Sequence, residues 1–209
     1  MTTHESGSSS LLPRRALLAR LAGGALSLVG LTAFGRPARM LGGRAAPNAA
    51  PKWDDRFELA VDLELAPAEG FRYHRPYVAV WVEDAAGRPV RTLSLWVNTT
   101  GRGPRYIREL RRWSLDARDA GAAGTQYPVA TVSSATRIPG RYAVVWDGRD
   151  DRGNVVDQGT YRVFVEAARE HGSYGLMQQE LALGGAPVAA DLTANDEVTR
   201  ARVEYRRRT

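Results

Sequence analysis

Apolar and polar residues alternate over most of the chain after residue 55, which is the pattern of β-strands that place one face on a hydrophobic core. In the first run the apolar residues fall at every second position: Phe57, Leu59, Val61, Leu63 and Leu65. The pattern predicts seven strands, together with a short eighth strand over 126–133. The seven cover 56–65, 77–84, 90–97, 141–146, 160–167, 176–183 and 198–206.

The stretch 137–172 has the features of a complete β-hairpin. Its two alternating arms, 141–146 and 160–167, are predicted to pair with each other, with a polar loop between them. A Pro-Gly pair ahead of the first arm suits a type II turn, because Pro presets φ and Gly accepts a positive φ. The residues predicted to form the turns of this stretch are Pro139, Gly140, Asp147, Gly148, Gly153 and Gly159.

Residues 104–113 change to a helical period. The stripe of apolar residues predicts one short helix that crosses between sheets, followed by a loop over 114–124. The polar face of this helix is rich in arginine, which suits either an anion contact or, as we favour, a solvated face paired with Glu109 and Asp116. A further loop is expected over 184–197. These elements predict an all-β, immunoglobulin-like Greek-key β-sandwich of seven or eight strands with one short crossover helix.

The net charge of +6 does not indicate a nucleic-acid partner. Six of the 29 basic residues lie within residues 1–45, where Glu5 is the only acid, so the remainder of the chain carries a net charge of only +1. The chain contains no cysteine, which excludes disulfides, thiolate metal sites and a cysteine nucleophile.

The first 45 residues resemble a twin-arginine export signal. Arg14 and Arg15 precede two leucines and a Gly/Ala-rich apolar run that is free of charge over 21–34. This run is short for a bilayer span, which favours a signal peptide, although a Sec signal or an uncleaved anchor stays open. We therefore expect a periplasmic protein exported by the twin-arginine route, with the signal as its only membrane contact.

The predicted domain organisation has three parts. An export signal occupies 1–45 and a linker occupies 46–53, where Ala and Pro dominate. One sandwich domain occupies 54–209, and it is long enough to bury a core without covalent cross-links.

The segment WDGRDDRGNVVDQGTYRVFVEA, residues 146–167, resembles the hairpin of the immunoglobulin-like domain in flagellar hook-capping proteins. A wider set of motifs resembles an uncharacterised family of predicted periplasmic proteins, domain-of-unknown-function family 2271. These motifs are PYVAVWVE at 76–83, LSLW at 93–96, LRRW at 110–113, SATR at 134–137, WDG at 146–148 and REHG at 169–172.

This resemblance spans residues 54–175 with the order of the motifs intact. It implies export and an immunoglobulin-like sandwich, and it supplies no activity. Members of the family are associated with PepSY-type membrane proteins and with the enzyme that attaches FMN covalently to exported proteins. The resemblance therefore implies a setting in a membrane redox or iron-related system.

Thr136 is a candidate site for covalent FMN attachment. The segment VSSAT at 132–136 is similar to the flavinylation motif, in which a threonine hydroxyl carries the FMN phosphate ester. Ala130 stands where that motif has Asp, and Ser134 stands where it has Gly. A polar turn is the alternative interpretation and the one we favour, so the cofactor prediction is none, with covalent FMN as the alternative.

Two further groups could hold metal ions. His74 and His171, together with Glu170, could bind a metal if the fold brings them together, although hydrogen-bonded histidines at strand ends are commoner. The acidic loop 147–157 lacks the Ca²⁺-loop spacing and suits tight turns instead. We therefore predict no metal site, with the two histidines as weak candidates.

The leading functional interpretation is an exported, non-enzymatic accessory or binding module. Its partner is expected to be a membrane-bound or periplasmic protein and not a nucleic acid. Trp81 and Trp96 are the expected docking surface if they share an exposed face. The alternatives are a covalent FMN carrier using Thr136 and a metal-binding module using His74 and His171.

Overall fold

The computed structural model describes residues 50–67, 73–122 and 133–208, and these form two packed β-sheets. The strands are β1 Phe57–Leu65, β2 Tyr77–Asp84, β3 Pro89–Trp96, β4 Ser133–Ser134, β5 Gly140–Trp146, β6 Gly159–Ala168, β7 Tyr174–Leu183, β8 Val188–Leu192 and β9 Val198–Arg207. A 3₁₀ helix, Gly103–Glu109, leads into helix α1, Arg111–Ala122. The prediction of an all-β sandwich is confirmed, with nine strands among the described residues.

One sheet has the order β5-β1-β9-β8 and the other has the order β4-β3-β2-β6-β7. Neighbouring strands are antiparallel except β3 and β4, which are parallel. The alternation in β1 predicts its geometry correctly, since Phe57, Leu59 and Val61 face the core and lie opposite Arg207, Tyr205 and Val203 of β9.

All five tryptophans are buried, in two separate apolar layers. Trp53, Trp96 and Trp146 lie between the two sheets, where the ring centroids of Trp53 and Trp146 are 4.8 Å apart. Trp81 of β2 and Trp113 of α1 lie in a second layer, between the outer face of the five-stranded sheet and the helix. Helix α1 therefore covers the middle of that outer face, while the outer face of the four-stranded sheet is open to solvent.

The prediction that 141–146 and 160–167 form a hairpin is wrong. Strand β5 pairs with β1 in one sheet, and β6 pairs with β2 and β7 in the other. The loop 147–158 crosses between the sheets, so the apolar sides of the two arms meet face to face. The rings of Trp146 and Tyr161 show this, with centroids 5.3 Å apart in an edge contact. Alternation predicts which face of a strand is buried. It does not predict whether the next strand in the chain pairs with it in the same sheet or packs against it from the facing sheet.

Strand β3 contains a bulge that divides its apolar residues between the two layers. Val80 pairs with Ser94 and Trp81 pairs with Thr92, so Leu93 is the extra residue. Leu93 consequently packs between the sheets, whereas Leu95 lies in the layer beneath α1.

Two further sequence-based expectations differ from the structure. The helical segment continues to Ala122 where a loop is expected, because Trp113 and Ala117 carry its apolar stripe onward over the sheet. The expected loop 184–197 contains β8, which pairs with β9, so β9 lies between β1 and the edge strand β8.

The chain divides into two compact units, residues 1–45 and residues 46–209. The first unit, with Arg14 and Arg15, lies outside the described residues. In the second unit the folded domain begins earlier than the expected boundary at residue 54. The Gln158 N–H donates to the Pro51 carbonyl oxygen at 2.7 Å, the Trp53 N–H donates to the Val156 carbonyl oxygen at 2.9 Å, and the Trp53 ring is buried.

We expect Gly148→Ala to destabilise the domain more than Gly153→Ala does. Both glycines have positive φ, 77° and 83°, which costs an alanine about 1–2 kcal/mol. A Cβ at Gly148 would also overlap the buried Trp53 ring, whereas a Cβ at Gly153 meets nothing within 4 Å. The overlap adds about 1–3 kcal/mol at Gly148 alone. Urea unfolding of both variants measures the difference, and equal losses would contradict the packing of Trp53 against this turn.

Candidate functional site

The expected docking surface built on Trp81 and Trp96 does not exist. Both side chains are buried, and they lie on opposite faces of their sheet, because Trp96 pairs with Val78, which is three positions from Trp81 along β2. Trp81 stacks on Phe164 with ring centroids 4.7 Å apart, and Trp96 contacts Tyr142 at 5.0 Å. Both tryptophans belong to the packing of the domain and are not available to a partner.

Thr136 lies on an irregular segment between β4 and β5, and its side chain is half-buried. Its hydroxyl makes no hydrogen bond to the described residues. The neighbouring Arg137 places its guanidinium 5.7 Å from the Trp96 ring centroid. Ala130, which replaces the Asp of the flavinylation motif, lies outside the described residues.

His74 and His171, the weak metal candidates, each lie near the Glu170 carboxylate. The Nδ1 of His74 lies 3.9 Å from one carboxylate oxygen of Glu170, and the Nε2 of His171 lies 3.8 Å from the other. His171 has φ of 55°, the left-handed conformation in the turn between β6 and β7. Each imidazole faces a different oxygen, and the described part of the chain holds no group of three or more His, Asp or Glu side chains able to bind a metal ion.

The acidic loop uses its carboxylates to form turns. The Asp150 carboxylate accepts hydrogen bonds from the backbone N–H groups of Arg152 and Asn154, at 2.9 and 2.8 Å. Asp147 accepts from the Arg149 N–H at 3.2 Å. These contacts lower the pKa of Asp150 against the effect of its partial burial. The loop is therefore stabilised by its own backbone, as the preference for turns over Ca²⁺ suggests.

The other turn residues have different roles from those expected. The chain bends at Pro139, but Gly140, with φ of 145°, already begins β5 and pairs with Leu65. Gly159 similarly begins β6 and pairs with Leu183.

The arginine-rich face of the helical segment is partly buried against acids. Arg112 donates to Glu83 at 2.7 Å and also pairs with Asp116. Glu166, which is fully buried, accepts the backbone N–H groups of Arg112 and Trp113 at 2.9 and 2.8 Å, so a sheet carboxylate caps the first turn of α1. Burial raises the pKa of Glu166, and the N–H donors oppose the rise. Arg112 and Glu166 therefore hold α1 on the sheet, whereas Arg105, Arg108 and Arg111 are exposed.

The open face of the four-stranded sheet carries a row of ion pairs between neighbouring strands. Arg141 contacts Glu64 at 3.2 Å, and Arg206 contacts Glu58 at 3.0 Å. A third pair, Arg202 with Asp191, has a separation of 3.1 Å. Exposed pairs of this kind contribute about 0–1 kcal/mol each, so stability does not explain the concentration of charge on this face.

A recess of about 370 Å³ lies on this face. Its lining residues come from β1, β5 and β9: Asp62, Leu63, Glu64, Arg141, Tyr142, Ala143, Arg200 and Arg202. We call this group the sheet recess. Among the described residues, Asp62 and Arg200 have no ion-pair partner within 4 Å, although each lies beside charges of the opposite sign. The recess thus presents one unpaired acid and one unpaired base.

Asp62, Arg200 and Arg202 alternate with the apolar residues of β1 and β9, which predicts that they face outward but not that they lie together. The structure brings them together because β1 lies between β5 and β9. The sequence does contain an indication that β1 and β9 are neighbours. The outward residues of β1 are acidic and those of β9 are mostly basic, and opposite charges on facing residues favour adjacent strands.

The fold and this open polar face define a class of protein: a two-sheet β-sandwich with a helical layer over one sheet. Residues 58–200 match the family described as predicted periplasmic protein (DUF2271), and the chain belongs to this family. The periplasmic location expected from the sequence is therefore supported by membership. No curated protein and no solved structure matched the chain. Within the described ranges, no helix has the length and apolar character needed to cross a membrane.

Proposed function

We propose that this protein is a non-catalytic binding module of the periplasm that engages a partner protein through the sheet recess. The observation that supports this most is the pair of charges, Asp62 and Arg200, that have no ion-pair partner among the described residues and lie on the open face of the four-stranded sheet. A binding partner supplies the missing counter-charges, and desolvation on docking strengthens both contacts.

The mixed charge of the recess selects the kind of partner. A polypeptide segment can carry a carboxylate for Arg200 and a cation for Asp62 at neighbouring positions. Nucleic acid offers only anionic groups, which Asp62 and Glu64 would repel. The partner is thus a protein segment with charges of both signs.

The family resemblance suggests where this partner resides. Association with PepSY-type membrane proteins and with FMN attachment favours a membrane-bound or periplasmic component of a redox or iron-related system. Export by the twin-arginine route would deliver the module already folded to that system.

The test is site-specific photo-crosslinking in the native periplasm and membrane fraction. A crosslinker at Ala143, inside the sheet recess, is expected to capture one partner, while a crosslinker at Gln178, exposed on β7 of the other sheet, captures none. Arg200→Glu and Asp62→Lys each reverse one unpaired charge and should reduce the crosslinked yield about tenfold or more.

The matched control is Glu180→Lys, a charge reversal on β7 far from the sheet recess, which should leave the yield unchanged. A partner captured equally by all three variants would show that the recess does not bind it. Adducts with the mass of two copies of this chain are self-association and do not count as the partner.

A covalent FMN carrier is the second candidate, favoured by Thr136, whose hydroxyl lies on an irregular segment and makes no hydrogen bond to the described residues. In that reaction the Thr136 oxygen bonds to the FMN phosphorus, the phosphoanhydride of a flavin dinucleotide breaks, and a nucleoside monophosphate leaves with the hydroxyl proton released to solvent. Arg137 would lie beside the phosphate ester.

For this candidate we expect the protein purified from its native periplasm to be yellow and to carry the FMN mass. Thr136→Ala should remove both, and Ser134→Ala, two residues earlier, should retain both. Colour that survives Thr136→Ala rules out this attachment site. A native protein of unmodified mass rules out the carrier function and leaves the binding module.

A further inference from the structure

Strand β5 leaves a row of backbone hydrogen-bonding groups without partners among the described residues. The Arg208 N–H donates to the Arg56 carbonyl oxygen at 2.8 Å, which makes Phe57 and Arg207 a non-hydrogen-bonded pair. The odd-numbered residues of β1 therefore direct their N–H and C=O groups toward β5.

The consequence for β5 follows from its register with β1. Leu63 faces Tyr142 and Val61 faces Val144, so the even-numbered residues of β5 bond to β1. Arg141, Ala143 and Val145 direct their N–H and C=O groups away from the sheet. Their side chains also lie on the exposed face.

Among the described strands, β5 and β7 are the long edge strands. The edge strand β4 has only two residues, and the free edge of β7 lies near β8, the edge strand of the other sheet. Between residues 141 and 145, β5 has no proline, no bulge and no inward charge, which are devices that prevent edge pairing, and its one charged side chain, Arg141, is paired with Glu64. Val145 is 50% exposed, and Ile138 just before the strand is 57% exposed.

We infer that two copies of this chain pair through β5, antiparallel and related by a twofold axis at Ala143. Ala143 then faces Ala143 of the second copy, and Arg141 faces Val145. All three residue pairs have outward backbone groups on both sides, so about six hydrogen bonds form and the two four-stranded sheets become one continuous sheet.

The side chains suit this pairing as well as the backbone does. No like charges lie directly opposite each other, because the one charged residue of the edge, Arg141, meets Val145 and keeps its ion pair with Glu64. The inner face places Tyr142 against Val144 of the second copy, which extends the apolar layer. The paired strands are about 20 Å long, so the contact buries less surface area than a standard protein–protein interface. The dimer is therefore reversible, and its population depends on the protein concentration.

The test is sedimentation equilibrium of the exported chain over a range of concentrations. We expect the wild-type chain to shift from monomer to dimer, and Val145→Lys to weaken the dimer at least tenfold by placing Lys beside Arg141 of the second copy. Ala143→Pro should do the same, because the N–H that it removes points away from β1. Ala189→Lys, an exposed position on β8 of the same sheet, is the control and should dimerise like the wild type.

A covalent test uses the absence of native cysteine. Ala143→Cys should form a disulfide-linked dimer on mild oxidation, since directly opposed residues lie within disulfide range, while Ala189→Cys should not. A wild-type chain that stays monomeric at every concentration, or a dimer that persists in Val145→Lys, would overturn the inference. Both outcomes leave the crosslinking test of the sheet recess unaffected, because that test scores only adducts with another protein.

Discussion

Trp146→Ala is expected to lower the free energy of unfolding by about 3–5 kcal/mol, the range for removing a large buried aromatic side chain. The Trp146 ring lies between the sheets, with centroids 4.8 Å from Trp53 and 5.3 Å from Tyr161, and its Nε1–H donates to the Arg149 carbonyl oxygen at 2.7 Å. The substitution leaves a cavity where the two sheets and the crossing loop meet. Urea unfolding followed by fluorescence and circular dichroism measures the loss.

Val145→Ala is the matched control for this prediction. Val145 is the preceding residue of the same strand and points to solvent on the open face. Its truncation should change the free energy of unfolding by about 0.5 kcal/mol or less. Similar losses in the two variants would mean that β5 does not face the core as described.

Arg112→Ala is expected to cost about 3 kcal/mol near neutral pH, at the lower end of the range for breaking a buried ion pair because the guanidinium is one-third exposed. It removes the only cation in ion-pair contact with the fully buried Glu83 carboxylate among the described residues, and it also leaves Asp116 without its ion pair. Burial raises the pKa of Glu83 above its ordinary value, and Asp116 raises it further, while Trp81 and Arg112 oppose the rise.

The pH dependence of this loss has a definite sign. A carboxyl group with a raised pKa in the folded state contributes stability that is complete below the unfolded pKa, about 4.3 for glutamate, and that is lost as the pH rises through the folded value. Removing Arg112 raises the folded pKa of Glu83 further. The difference between variant and wild type should therefore be small near pH 4 and grow toward pH 7.

Thermal unfolding at a series of pH values tests this prediction. Adding Glu83→Gln to Arg112→Ala should recover part of the stability at pH 7, because a neutral amide does not ionise. A loss that is independent of pH and is not relieved by Glu83→Gln would indicate that Arg112 contributes only packing.

The limits of the sequence-based predictions follow from what a strand pattern contains. A period of two identifies which residues of β1 and β5 are buried, because the buried face of a strand is determined by the apolar residues of that strand alone. It does not identify the neighbour of each strand, which depends on contacts distant in sequence. The adjacency of 141–146 and 160–167 in the chain predicts one hairpin, yet the buried faces of the two strands pack across the sandwich.

The same distinction explains the candidate sites. The sequence places His74 and His171 each at a strand end, but their common position beside Glu170 depends on β2 and β6 being neighbours, which a local pattern does not contain. The burial of Trp81 is not predictable either, since its strand is covered on both faces and so lacks a polar side. Helix α1, which covers Trp81, continues to Ala122, beyond residues 104–113, over which the sequence shows a helical period. The sheet recess needs three strands in the correct order, which local patterns do not contain.

The most direct test of the account is the mass of the crosslinked product formed from Ala143 in the native periplasm and membrane fraction. The account predicts an adduct with a membrane-bound or periplasmic protein that is lost in Arg200→Glu and in Asp62→Lys and retained in Glu180→Lys. An adduct that is insensitive to both recess variants, or no adduct with another protein at all, would contradict the proposal that this face is the binding surface.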